Sequence, residues 1–288
     1  MEQAPPVAVN HPVKSPPPPI IESPEAEAQP VNRAQKTMEA LIPEPSRLRA
    51  IPMNTLQLPS GGVAVIQPAG AGAEEILSSV KLQESGDAFD LWLTACIMSL
   101  NGVRNPGPGD GFTAFLGDTL NLFPGDRRQI AVEIIGFTYG DRIDCPVDCP
   151  HCGETNELAV DVKAILATSK PYPEQRAFEV VLPSGRKAVY GYNTGVHQKT
   201  LRAMGADGMS LLDGLKMRLR SLDGRQATSK SWAELDGPDR AALRAAILSH
   251  PDCGPDTSVR NVCRKCKKPF VTSLEMHLSF FLPGLRLS

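Results

Sequence analysis

The sequence predicts an α+β protein: a mainly helical N-terminal half, then a two-part cysteine-bearing ribbon interrupted by a β-hairpin and helices. Three observations predict it. Two Cys-x-x-Cys pairs, Cys149-Pro150-His151-Cys152 and Cys263-Arg264-Lys265-Cys266, are separated by the 110 residues Gly153–Val262. Apolar and polar residues alternate beside both pairs, as strands do, in Asn156–Val162 and again in Val259–Val262 and Phe270–Thr272. Between Ala73 and Phe137 the apolar residues instead recur at helical spacing. A Cys-x-x-Cys turn offers two thiolates from one tight loop, and two such turns complete a tetrahedral site, so the pattern reads as a split zinc ribbon. Gly153, just past the second cysteine, lets the chain turn close under the metal. A redox dithiol would need only one such motif, opening a helix after a strand.

Length and composition set the frame. The 288 residues suffice for one large domain or two small ones, and 41% hydrophobic and 22% charged residues fit a soluble globular chain. A net charge of -2 supplies no general attraction to nucleic acid or to an anionic membrane. No apolar run is long enough to span a bilayer, and no signal-peptide core is visible at the proline-rich start. Seven cysteines suit a reducing compartment better than a disulfide framework, which uses pairs. Cys96, inside the apolar run Leu91–Leu100, reads as a small core residue. Cys145 and Cys253 each stand near a knuckle and could replace a ligand or face each other across the site. Cys149, Cys152, Cys263 and Cys266 are favoured as the metal ligands because only they form paired turns.

The chain divides by texture into four parts. Residues 1–52 are a proline-rich arm: eleven prolines and no aromatic in residues 1–50 cannot bury enough apolar surface to offset the entropy of ordering, so extended, mobile chain is expected, with a short helix over Ala34–Leu41. The arm is expected to order on contact with partner subunits. Residues 53–141 form the mainly helical domain. It opens on two short strands around Ser60-Gly61-Gly62 and continues with helices over Ala73–Gln83, Phe89–Leu100, Phe112–Phe123 and Asp126–Phe137. Asn101-Gly102 is expected to cap the second of these, and Arg127 and Arg128 to lie on a solvated face. Residues 142–162 and 258–288 are the ribbon halves. Residues 163–257 are the insertion, with a hairpin turning at Pro183-Ser184-Gly185 and helices over Gly195–Met204, Ser210–Ser221 and Pro238–His250. Phe280, Phe281 and Leu282 are expected to cover the ribbon or an adjacent subunit.

The motifs of common catalysts are missing. Nothing like the His-x-Glu of zinc deaminases precedes Pro150, and the sequence has no Gly-x-Ser-x-Gly elbow, Walker loop or dinucleotide fingerprint. Four thiolates would leave no coordination position for water, while His151 reads as an exposed loop residue and the isolated His197 as structural. No enzyme is expected. Arg260, Arg264, Lys265, Lys267 and Lys268 make the second knuckle basic, and Lys216, Arg218, Arg220 and Arg225 add charge on a helix and just beyond it. With 5% aromatic residues and none interleaved in the patch to stack on bases, a solvated face or a protein contact is the expected use, and nucleic acid is not.

The order of features resembles one family. Leu58-Pro59-Ser60-Gly61-Gly62, Phe137-Thr138-Tyr139-Gly140, Cys149-Pro150-His151-Cys152-Gly153, Leu182-Pro183-Ser184-Gly185, Asp239-Arg240, the second knuckle and Phe280-Phe281 succeed one another over residues 53–285. That succession is similar to the baseplate hub and hub-assembly proteins of contractile-tailed phages of the T-even type. Cys263-Arg264-Lys265-Cys266 departs from the first knuckle in lacking its proline and glycine. The resemblance implies a non-enzymatic structural or assembly protein with a structural zinc. Its partners would be other hub, baseplate or tail-tube subunits, and its place the virion tail, assembled in the host cytoplasm. Two other classes remain beside it: a cytosolic zinc-ribbon module that binds nucleic acid, and an assembly chaperone absent from the finished particle.

Overall fold

The computed structural model of the protein describes residues 52–203, 211–228, 230–274 and 278–283. The arm, with its expected helix at Ala34–Leu41, lies outside the described residues. The fold is α+β, with ten helices and four small antiparallel sheets among the described residues. It divides into two compact units: the described residues up to Tyr172 with Thr194–Ala203 and the described residues from Cys253 on form one, and Pro173–Asn193 with the described part of Met204–Asp252 form the other.

The larger unit begins with β1 (Asn54–Gln57) and β2 (Val63–Ile66), paired so that Asn54 faces Ile66. Gly61, at φ +89°, takes the left-handed position of the connecting turn, and the N–H of Leu58 donates to the Gly62 carbonyl at 2.8 Å. Three helices follow: α1 (Ala71–Ser78), α2 (Val80–Glu84) and α3 (Ala88–Cys96). The single helix expected over Ala73–Gln83 is broken at Ser79, whose backbone is extended. The helix expected to run to Leu100 stops at Cys96, and Ile97–Leu100 is a strand, β3, paired to β2. Asn101 and Gly102 both have positive φ and form the hairpin turn into β4 (Val103–Arg104). An Asn-Gly pair is the strongest short hairpin signal, and here it closes a hairpin instead of capping a helix. Asn105 binds carbonyls at the helix end and the strand start, its side-chain amide donating to Thr94 at 2.8 Å and Ile97 at 2.7 Å. The sheet order is β1-β2-β3-β4.

Helix α3 is buried on nearly every side, with Leu91, Trp92, Leu93 and Cys96 at most 1% exposed, and forms the centre of this unit. Helix α4 (Phe112–Asn121) buries Phe112, Phe115 and Leu116. Helix α5 (Pro124–Tyr139) starts on a proline that needs no N–H in the first turn, ends at Gly140 (φ +94°), and buries Ile130, Ala131, Ile134 and Ile135. Arg127 corrects the expected solvated face: it is 1% exposed and its guanidinium is paired with the carboxylate of Asp90 on α3. The reason is positional, since residues 127, 131 and 134 fall on one helical stripe and the stripe faces the core. Helix α6 (Val162–Ala167) is capped by the Asp161 carboxylate, which accepts from the Ala164 N–H at 3.0 Å. Helix α7 (Gly195–Ala203) joins the same unit, where Lys199 pairs with Asp87 and Arg202 with Asp90, both at 2.7 Å.

Gly125 sets the closest approach in this unit. A Cβ there would lie 2.2 Å from the Cys253 carbonyl oxygen, a backbone atom that cannot step aside. Gly125→Ala is expected to destabilise the protein by about 3 kcal/mol, the upper end for overpacking. An unchanged midpoint in denaturant unfolding would refute that.

The smaller unit is a sheet of order β10-β9-β8-β7: β7 (Ala177–Val181), β8 (Lys187–Gly191), β9 (Leu219–Leu222) and β10 (Arg225–Gln226). The hairpin at Pro183-Ser184-Gly185 forms as expected, with Val180 opposite Ala188. The helix expected over Ser210–Ser221 is instead the short α8 (Leu211–Lys216) followed by β9, because Asp223-Gly224, both at positive φ, turn the chain back as a second hairpin. Helix α9 (Gly237–Leu248) is capped by Asp236. Its buried Asp239 accepts hydrogen bonds from the N–H and hydroxyl of Ser184, at 3.0 and 2.6 Å, and so anchors the hairpin turn.

Candidate metal centre

Two further hairpins of the larger unit build the site. β5 (Arg142–Asp148) and β6 (Thr155–Asp161) pair along their whole length, and β11 (Ser258–Val262) pairs with β12 (Pro269–Ser273). Each carries one Cys-x-x-Cys pair in its connecting turn. In the first, the Cys149 N–H donates to the Glu154 carbonyl and the Gly153 N–H to the Cys149 carbonyl, both at 2.9 Å. The second repeats this arrangement, with the Cys263 N–H on the Lys268 carbonyl and the Lys267 N–H on the Cys263 carbonyl, both at 3.0 Å. Gly153 (φ +71°) and Lys267 (φ +59°) occupy equivalent positions one residue past the second cysteine. The missing glycine of the second knuckle is thus replaced by a lysine held in the left-handed region, where a side chain costs about 1–2 kcal/mol. Lys267→Gly is expected to raise stability by about 1 kcal/mol in denaturant unfolding, and a loss of stability would contradict this reading of the turn.

The four sulfurs converge. Cys149, Cys152, Cys263 and Cys266 place their Sγ atoms within 4.8 Å of one another, close enough to bind a metal ion. The Cys149–Cys266 and Cys152–Cys263 separations are 3.8 and 3.6 Å. Thiolates about 2.3 Å from a central ion form a tetrahedron with edges of about 3.8 Å, so the sulfurs already stand near ligand spacing. Cys149 and Cys263 are buried, Cys266 is half-buried and Cys152 is exposed. Without a cation the sulfurs compete for protons. Burial opposes ionisation of Cys263, but the N–H groups of Cys266 and Lys265 and the neighbouring thiols overcome it and bring that group down to about 6. At Cys152 the Glu154 N–H favours the thiolate, but desolvation and the surrounding thiols prevail and push it up to about 11. The protons are thus shared among neighbouring sulfurs, and a cation entering the group would displace those that remain.

Asn156, Glu154 and His151 tie the two knuckles together. Asn156, 3% exposed on β6, donates to the Cys263 sulfur at 3.8 Å and to the Glu154 carbonyl, while its own carbonyl oxygen accepts from the Arg264 N–H at 2.9 Å. Glu154 accepts from Arg264 Nε and Nη2 at 2.9 and 2.8 Å and lies 3.5 Å from Lys265, contacts that hold its carboxyl below the usual range. His151 stays exposed, outside the sulfur group, with Nε2 3.3 Å from the Pro269 carbonyl. Sequence reasoning passed over Asn156, although a polar residue on the buried stripe 156, 158, 160 was a legible signal. Residues that orient metal ligands typically contribute 10–100-fold in affinity. Asn156→Ala is expected to lower metal affinity in that range, by competition with a chelator; unchanged affinity would reduce Asn156 to a packing role.

The remaining cysteines stand apart from the group. Cys145 is fully buried beside the Ser279 hydroxyl at 3.4 Å, and burial raises its pKa. Burial pushes Cys96 up to about 12 in the helical core. Cys253 lies with its backbone against Gly125. Phe280 and Phe281, on α10 (Leu278–Phe281), are buried, with Phe281 stacked edge-on to Phe89 and Trp92 at 5.5 and 5.4 Å; they close the helical core of the same unit. Two of the added basic residues are engaged within the fold: Arg218 is 6% exposed and donates to the Gly191 and His250 carbonyls at 2.9 and 2.8 Å, and Arg220 donates to the Met217 carbonyl at 2.7 Å. Among the described residues no helix is long and apolar enough to cross a membrane. No family model, curated protein or solved structure matches this chain.

Proposed function

We propose that the chain is a non-enzymatic structural or assembly protein in which zinc, held by Cys149, Cys152, Cys263 and Cys266, staples two hairpins that are distant in sequence. The observation that carries this reading is the convergence of four sulfurs from two separate turns at ligand spacing. An all-thiolate set favours zinc over hard cations, and an ion holding four thiolates has no place left for water or substrate, which suits a staple. The succession of motifs over residues 53–285 supports the finer reading. On it, the protein is a component of a phage-type contractile tail baseplate hub, assembled in the host cytoplasm and docking on other hub or tail-tube subunits partly through its N-terminal arm.

Three measurements test the proposal. Elemental analysis of the purified chain is expected to find one zinc per chain, and a visible spectrum of the cobalt-substituted protein to show a tetrahedral thiolate site. An ion with an exchangeable water would overturn the staple. Mass spectrometry of isolated tails is expected to find the chain at fixed copy number. Absence from finished particles would replace a structural component with an assembly chaperone.

A further inference from the structure

The face of β11–β12 turned away from the core is apolar and basic at once. Val262 and Val271 are 57% and 62% exposed, Val262 lies opposite Pro269, and Arg260 lies opposite Val271. An open hollow of about 610 Å³ is lined by Arg260, Asn261, Val262, Pro269, Phe270 and Val271. From Thr257 to Leu274 there are five lysines and arginines and no acidic residue. Glu154 engages Arg264 and Lys265, whereas Arg260, Lys267 and Lys268 make no ion pair among the described residues. Even beside the two negative charges that four thiolates leave on a divalent ion, the hairpin stays positive.

The 51 residues that precede the described chain hold one stretch with the complementary chemistry. Ile20-Ile21-Glu22-Ser23-Pro24-Glu25-Ala26-Glu27 has three carboxylates beside two adjacent isoleucines, and no lysine or arginine occurs between Lys14 and Arg33. Pro24 has no N–H to give to a strand ladder, which favours packing across a face over adding a strand. We propose that residues 20–27 of a neighbouring copy lie across the outer face of β11–β12. The isoleucines cover Val262, Val271 and Pro269, and the glutamates meet Arg260, Lys267 and Lys268. This rests on the reading of the chain as one subunit among several. The 24 residues Ala28–Ile51 span up to about 80 Å when extended, enough to pass from one subunit to the next. Such an arm-to-hairpin contact is head-to-tail, so it closes into rings or runs on as a filament, and a weak single contact gains strength by repetition.

The test uses the full-length chain with photoreactive p-benzoylphenylalanine in place of Val271, prepared in light and 15N-labelled forms and mixed before irradiation. Expected are cross-links from position 271 to residues 18–30 that join light to heavy copies. Replacing Glu22, Glu25 and Glu27 with lysine, or raising salt to about 0.5 M, is expected to cut their yield at least five-fold. Cross-links confined within one copy, cross-links to other parts of the chain, adducts to nucleic acid, or no adduct would each overturn the proposal. Metal content measured on the same samples tests the staple separately, so the loss of one reading is distinguishable from the loss of the other.

Discussion

Cys263→Ser is expected to abolish stoichiometric metal binding and to lower the unfolding temperature by roughly 10–20 °C. Cys263 is the deepest of the four sulfurs, receives the Asn156 amide, and lies opposite Cys152 across the group. A serine hydroxyl there stays protonated at neutral pH and is a poor ligand for a soft site, so three thiolates remain to hold the ion. Structural zinc binding is worth about 10–16 kcal/mol in small fingers, and much of it is folding energy, because no preformed site exists in the unfolded chain. Loss of even about 5 kcal/mol corresponds to the stated shift for a chain of this size. Removing the metal with a strong chelator is expected to reproduce the effect, and Cys145→Ala to leave metal content unchanged. Full zinc occupancy in the Cys263→Ser chain would sink the four-sulfur assignment. Calorimetry with elemental analysis of the two variants decides it.

The second large effect is expected at Asp90→Ala, at about 3–5 kcal/mol of stability. Asp90 is 1% exposed and accepts from Arg127 through Oδ1 and from Arg202 through Oδ2, the latter at 2.7 Å. Burial lowers the Arg127 pKa, and the Asp90 charge works against that shift; without the carboxylate a guanidinium remains in the core with its Nε already lacking a hydrogen-bond partner among the described residues. Breaking a buried pair on one side costs far more than removing both charges. The double variant Asp90→Leu/Arg127→Met is therefore expected to recover most of the loss in denaturant unfolding. A double variant no more stable than Asp90→Ala would show that the pair supplies geometry the apolar side chains cannot.

Both sites show how far residue patterns carry. The alternation beside the knuckles placed β6, β11 and β12, and the paired turns named the four sulfurs that now lie together. The spacing 127, 131, 134 also placed Arg127 on the apolar stripe of α5, yet a charged residue near a helix start reads as solvated until its partner is known. That partner, Asp90, is 37 positions away, and nothing local announces the pairing. The same blindness hides that Asn101-Gly102 closes a hairpin instead of ending a helix, and that Leu219–Ser221 lies in a strand instead of the end of the expected Ser210–Ser221 helix. Apolar runs such as Ile97–Leu100 suit a helix or a buried strand equally, and the neighbour that supplies the ladder decides between them.

The order of residues by itself determined the elements with strong local chemistry: the paired cysteine turns, the Pro183-Ser184-Gly185 hairpin and the buried cysteine of α3. Their cause lies within a few bonds, in fixed dihedral angles, ring closure and the period of apolar side chains. Only the tertiary structure decided that Ile97–Leu100 joins a sheet, that Arg127 is neutralised in the core, and that Asn156 serves a sulfur 107 positions away. Those outcomes depend on desolvation and hydrogen-bond partners, which exist only once distant segments have met.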